Sequence, residues 1–209
     1  MPAIFNSFQT AFTMAWQENA SMALNDDDKE QYYSRMCDGV YRILTGVMAG
    51  LIMCTPVIWR LLVRGDYDEG YYQVPVLYLG MLFSSMASTV GGIYIAHKRT
   101  SSVGITTLLA AAMNLLIDVL LVKRIGIWAG SVSTLVSFLL LFVYRIADVQ
   151  KFQKVCFDLK TISLSILLLS LMAVFSYQNN LVFNLLNIVM CMIILAVFDR
   201  EIIKMFINK

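Results

Sequence analysis

Two long apolar runs separated by only four residues constrain this chain more than any other feature of its sequence. Residues 103–122 and 127–144 each approach the roughly 20 residues needed to cross a ~30 Å hydrocarbon core. Between them lie only Lys123, Arg124, Ile125 and Gly126. So short a break permits nothing but a hairpin, and the two runs are expected to stand side by side as antiparallel membrane-spanning helices. The end of an earlier apolar run and a basic turn, His97-Lys98-Arg99-Thr100, lead into the pair. One polar pair, Asn114 and Asp118, falls inside its first helix.

The rest of the chain agrees. Hydrophobic residues make up 59% and charged residues 14%, where a soluble domain carries about 25% charged residues. The mean hydropathy is +0.71. The expected fold class is all-α, a polytopic transmembrane helical bundle. A net charge of +2 with no basic-aromatic patch argues against nucleic acid as a partner. Cys37, Cys54, Cys156 and Cys191 are scattered, without metal-ligand spacing, and are expected to be small apolar fillers. With His97 the only histidine, and no G-x-S-x-G or H-E-x-x-H motif, no catalytic residue, metal site or cofactor is expected, and the chain does not read as an enzyme.

In chain order, spans are expected at about residues 2–22, 39–63, 74–96, 103–122, 127–144, 161–177 and 181–198, about seven in all. The first has no basic residue before it, which disfavours a cleavable signal peptide. At 100° per residue, Asn6, Gln9, Thr10, Thr13 and Gln17 share one arc of that helix. Such a stripe serves either a hydrated cavity or hydrogen bonds to other helices. The run Asn25-Asp26-Asp27-Asp28-Lys29-Glu30 lacks the glycine turn and distal glutamate of a calcium loop, and reads as a solvated connector. In the second span Gly46 and Gly50 allow close helix approach and Pro56 is expected to kink the outer third; in the third, Gly80, Ser84, Ser88 and Gly92 form a small-residue seam. Residues 145–160, beginning with Arg145, read as a polar connector.

Lysine and arginine recur in alternate connectors: Lys29 and Arg35, Lys98 and Arg99, Lys151 to Lys160, then Arg200 to Lys209. Lys123 and Arg124 dissent. The positive-inside rule therefore predicts a cytoplasmic C-terminus. About seven spans then place Met1 outside, an arrangement that predicts further spans upstream.

Residues 78–137 resemble the MOP superfamily of polysaccharide flippases, lipid II flippases and MATE drug exporters. Members of that superfamily show an apolar helix ending in a K-K-T turn, here His97-Lys98-Arg99-Thr100. An aliphatic helix with N-x-x-x-N follows, here Asn114 and Asp118, and then Y-G-x-x-G-A, here Ile125 to Ser131. Ala15-Trp16-Gln17 matches an A-W-Q type motif on a polar first helix, and residues 62–75 match an L-x-x-G-x-x-Y segment before a proline-led helix. Asp118 in place of asparagine and the absence of a proline in the turn are departures. Such transporters have about 12 to 14 spans in two related halves, so the resemblance implies that this chain is the C-terminal half, with the N-terminal half absent.

Within the superfamily the chain resembles the polysaccharide branch best. That implies a bacterial inner-membrane flippase moving lipid-linked oligosaccharide, undecaprenyl-diphosphate-linked, to the outer leaflet for O-antigen or other lipopolysaccharide and polysaccharide synthesis. The implied partners are that substrate, membrane lipids, and a missing N-terminal half or polysaccharide polymerase machinery. The substrate-binding candidates are the stripe Asn6, Gln9, Thr10, Thr13 and Gln17, Trp16 or Tyr41 as stacking rings, and Arg42 for phosphate. Asp118 is a candidate ion-coupling acid, or alternatively an interfacial partner of Lys123 or Arg124. The competing expectations are a MATE-type drug or cation antiporter, and a truncated membrane protein without transport activity of its own.

Overall fold

The computed structural model describes residues 2–63, 68–178 and 180–198, with the backbone alone for residues 2–9, 62, 68, 197 and 198. The charged tail, residues 199–209, lies outside the described residues. Among them all regular structure is helical. The order is α1 (Pro2–Met22), a 3₁₀ turn (Ala23–Asn25), α2 (Lys29–Leu62), α3 (Asp68–Tyr71), α4 (Val74–Ala96), α5 (Thr100–Ile125), α6 (Trp128–Val149), α7 (Leu159–Tyr177) and α8 (Leu181–Phe198).

Among the described residues five helices are long and apolar enough to cross a membrane: those at Lys29–Leu61, Glu69–Ala96, Thr100–Ile125, Trp128–Val149 and Leu159–Tyr177. Leu181–Ala196 is apolar but shorter. The polar stripe of α1 lowers its hydropathy below that of these five.

The helices extend past the apolar runs that reveal them. A backbone hydrogen-bond ladder continues through polar residues wherever no breaker intervenes. Thus α2 begins at Lys29, ten residues ahead of the apolar run, and its 34 residues span about 50 Å. Pro56 lies inside α2 without breaking it. The hairpin between α5 and α6 closes at Gly126, whose φ of +56° is a conformation that glycine adopts without steric cost. Its N–H bonds Val122 O at 3.0 Å. The carboxylate of Asp158 caps α7, accepting from the N–H of Lys160 at 3.1 Å and of Thr161 at 3.3 Å.

Helix α4 is the axis of the bundle, buried on nearly every side. It packs against α1, α2 and α6, and α6 in turn carries α5. The seam on α4 is used on two faces. Gly80 lets the backbone of Leu135 in α6 approach, and Gly92 receives the indole of Trp16 from α1. Helix α5 is peripheral. Only Thr106 and Ala110 are buried in it, while Leu108, Leu115, Leu116, Val119 and Leu120 are exposed. An apolar helix exposed along its length is stable against hydrocarbon and not against water.

The connectors gather at two ends. The basic end holds residues 23–28, 97–99 and 150–158, and the other end holds residues 68–73, 126–127, 178 and 180. At this second end a chain of rings links four helices. Trp59 meets Tyr71, Tyr71 meets Tyr72, Tyr72 meets Tyr177 and Tyr177 meets Trp128, with centroids 5.5 to 6.2 Å apart. Rings with polar tips at one level of a bundle suit a membrane–water interface.

Candidate functional site

Three polar features lie on the membrane helices, and the packing keeps them apart. The first is the α1 stripe. Thr10 is exposed, and Thr13 and Gln17 are half-buried, with Ser21 donating to Gln17 O at 2.7 Å further along the helix. The backbone of Asn6 and Gln9 is described, and their side chains lie outside the described residues. Trp16 is turned away from the stripe. It is 2% exposed, its Nε1 donates to Thr89 O at 2.7 Å, and Tyr32 and Tyr33 pack on it. Its ring is therefore spent on joining α1 to α4 and is not offered to a ligand.

Tyr41 is buried as well, its hydroxyl paired with Ser165 of α7. Arg42 is half-exposed and ion-paired with Asp38 at 2.7 Å one turn back. Its charge also helps to lower the pKa of Asp158 at the start of α7.

The second feature is the joint between α5 and α6. Asn114 Nδ2 donates to Thr134 Oγ1 at 3.3 Å, and Ser133 Oγ donates to Asn114 Oδ1 at 3.5 Å. One turn further along α5, Asp118 is half-buried, and its Oδ1 lies 3.9 Å from where a Cβ of Gly130 would stand. Among the described residues Asp118 makes no ion pair with Lys123 or Arg124, because the only bridges are Arg42–Asp38 and Lys151–Asp148. The interfacial pairing foreseen from sequence is not made. Asp118 instead faces the small-residue start of α6. Ser133 and Thr134 were not singled out from sequence, although their spacing from Gly130 marks a face toward Asn114.

The third feature is Arg145, which sequence reasoning assigned to a polar connector. Helix α6 continues through it to Val149, and Arg145 is only 3% exposed. The correction has a simple cause. Leu141, Arg145 and Val149 recur every four residues, so the guanidinium falls on the core face. Its Nη1 donates to Ala87 O of α4 at 2.7 Å. From Nη2 it reaches Val103 O, Thr106 Oγ1 and Thr107 Oγ1 of α5 at 2.9 to 3.1 Å. The Nε donates to Thr106 Oγ1 at 3.2 Å. No carboxylate of the described residues lies within ion-pairing distance. Asp148, one turn on, accepts from Tyr94 at 2.8 Å and from Lys151 at 2.9 Å instead. Arg145 thus clamps three helices through neutral oxygens alone.

At the basic end Phe152 is bracketed by Tyr94 and His97, each 5.1 Å away, and by the Arg99 guanidinium at 4.2 Å. Burial lowers the His97 pKa from its ordinary 6.5, and Lys29 and Arg99 lower it further against the raising effect of a hydrogen bond with the Gln153 side chain. A histidine whose pKa is lower folded than unfolded binds fewer protons when folded. Its contribution is then complete above the unfolded pKa and is lost as pH falls through the folded one. Thermal unfolding in detergent is therefore expected to show stability falling on acidification below about pH 6.5, and His97→Gln is expected to remove that part of the pH dependence. An unchanged pH profile in the variant would disprove the assignment.

No protein-family model matches this chain, and no curated protein matches its sequence. Among solved structures, one described as "Lipid II flippase MurJ, inward closed conformation" superposes with a TM-score of 0.66 at 19% sequence identity. The superposition covers 96% of this chain and 46% of that one, so this chain spans about half the length of its neighbour. The stripe, the joint and the arginine clamp are thus set in a multi-helix fold like that of the MurJ structure, over nearly half of that structure's length.

Proposed function

We propose that this chain is the C-terminal lobe of a flippase that moves lipid-linked oligosaccharide or polysaccharide repeat units across a bacterial inner membrane, with its C-terminus in the cytoplasm and seven spans in all. The supporting observation is the fold match together with the polar face of α1, on which Thr10 is exposed and Thr13 and Gln17 are half-buried. A helix face bearing Thr10, Thr13 and Gln17 suits a hydrated cavity or the surface of a second lobe better than lipid tails. A hydrated cavity between two lobes would also solve the cargo's difficulty, which is to bring a sugar head and a diphosphate through ~30 Å of hydrocarbon. In this reading Asn6, Gln9, Thr10, Thr13 and Gln17 line the cavity. Asp118, beside Asn114 and Gly130, serves as the ion-coupling acid.

The test is reconstitution in vesicles of the chain alone and together with an N-terminal lobe of the same fold. The readout is the appearance of undecaprenyl-diphosphate-linked oligosaccharide in the far leaflet. Transfer is expected with both lobes and not with this chain alone, and Asp118→Asn is expected to remove its dependence on an imposed cation gradient. Extrusion of a cationic dye without lipid transfer would move the assignment to a drug exporter. Inactivity with every tested lobe would favour a membrane protein without transport of its own.

A further inference from the structure

At the end of the bundle opposite the basic connectors, a pocket of about 400 Å³ opens where the α5–α6 hairpin turn meets α3. Its walls are Glu69 and Tyr72 on one side and Arg124, Gly126, Ile127 and Trp128 on the other. We propose that this pocket binds the headgroup of a zwitterionic membrane phospholipid, one joining a phosphodiester to a primary ammonium. This rests on the membrane-spanning fold and, in its third argument, on the proposed role of the α1 stripe.

Three observations lead there. The first is charge. Arg124 and Glu69 stand on separate elements, both exposed, and no ion pair joins them among the described residues. Two opposite charges held apart across one cavity are complementary to a ligand that carries both. A guanidinium matches a phosphate through two parallel N–H donors. A carboxylate matches an ammonium, and aromatic faces add to that attraction. Tyr72 is 39% exposed and Trp128 half-buried. Tyr177 braces both rings, with centroids 5.8 and 6.2 Å away.

The second observation is what adjoins the pocket. Ile125 and Ile127, in its wall, are exposed apolar side chains. Leu116 and Leu120, two turns and one turn before Arg124 on the same side of α5, are exposed as well. A lipid with its head in the pocket would lay its acyl chains on a surface already apolar. The turn at Gly126 places charged head site and apolar track in succession on one helix end, as a lipid at an interface requires.

The third is distance from the transport stripe. Helix α1 packs on α4, α4 on α6 and α6 on α5, and no α1 residue is among the pocket's lining residues. A site for the sugar of a transported lipid belongs near the stripe. A site for a resident lipid of the surrounding leaflet belongs where this pocket is.

Native mass spectrometry of the purified full chain, with dioleoyl-phosphatidylethanolamine or dioleoyl-phosphatidylglycerol added to the detergent, tests the proposal. One phosphatidylethanolamine molecule is expected to survive activation that strips phosphatidylglycerol. Arg124→Gln and Glu69→Gln are each expected to weaken its retention about tenfold, the equivalent of one charge-assisted contact. Exchanging the charges, Glu69→Arg with Arg124→Glu, is expected to restore it. Both side chains are exposed, so gel filtration and circular dichroism should show the variants folded. Equal retention of the two lipids with no effect of Glu69→Gln would overturn the proposal in favour of a bare arginine–phosphate contact. Displacement of the lipid by a lipid-linked oligosaccharide would overturn it in favour of a cargo site, and equal loss of lipid from wild type and variants would overturn it altogether.

Discussion

Arg145→Lys is expected to destabilise the bundle by about 3 kcal/mol, whereas Arg145→Met is expected to cost less than about 1 kcal/mol. The inversion of the usual conservative ranking follows from the surroundings. Arg145 is 3% exposed and holds its charge on two backbone carbonyls and two threonine hydroxyls, on two different helices. Lysine keeps the buried charge but presents one ammonium, which cannot reach both the α4 and the α5 acceptors. The desolvation cost stays and much of the compensation goes. Methionine removes the charge with its cost. The carbonyls of Ala87 and Val103 lie within helices, and Thr106 and Thr107 each donate to Val103 O, so few acceptors are stranded. Unfolding in mixed micelles by dodecyl sulfate titration gives the order directly. Lysine outperforming methionine would mean that the positive charge itself has a partner beyond those seen here.

The second large effect lies at the contact of α1 with α4. A Cβ on Gly92 would stand 2.5 Å from Trp16 Cδ1, closer than atoms can pack, while Trp16 fills a site that is otherwise closed by Tyr32 and Tyr33. Trp16→Ala is expected to cost about 3 kcal/mol through the cavity it leaves, and Gly92→Ala about 2 kcal/mol through overpacking. The double variant is the sharper measurement. Once the indole is gone the new methyl has room, so the two costs should fall short of adding by about 1–3 kcal/mol. Strict additivity would show that the two residues do not share one site in solution.

How much of this was legible beforehand varied with the kind of interaction involved. The hairpin at residues 123–126 was clear because four residues leave only one way to turn, and the turn indeed falls at Gly126. Helix ends were less clear. Hydropathy marks only the apolar stretch, while α2 starts ten residues early at Lys29 and α6 ends five residues late at Val149. The polar stripe of α1 could be read because it depends on the helical period alone. Arg145 could not, because a cation at the edge of an apolar run looks the same in sequence whether it faces water or its neighbours. Only the packing of α4 and α5 around it decides. Trp16 posed the same difficulty in reverse: its motif suggested a ring for ligands, and Gly92, 76 positions away, determines that it is enclosed.

The length of α2 has a mechanical consequence. A single uninterrupted helix of about 50 Å is longer than any hydrocarbon core is thick, so part of it stands outside the bilayer as a rigid post. Tyr33, on that post, donates to Ala20 O at the end of α1, and Ser34 accepts from the N–H of Cys156 in the connector before α7. The end of one helix and the approach to another are thus moored to a shaft that the membrane does not grip. When the shaft leans, both must follow, and a few degrees at the bilayer centre become a displacement of ångströms at its tip.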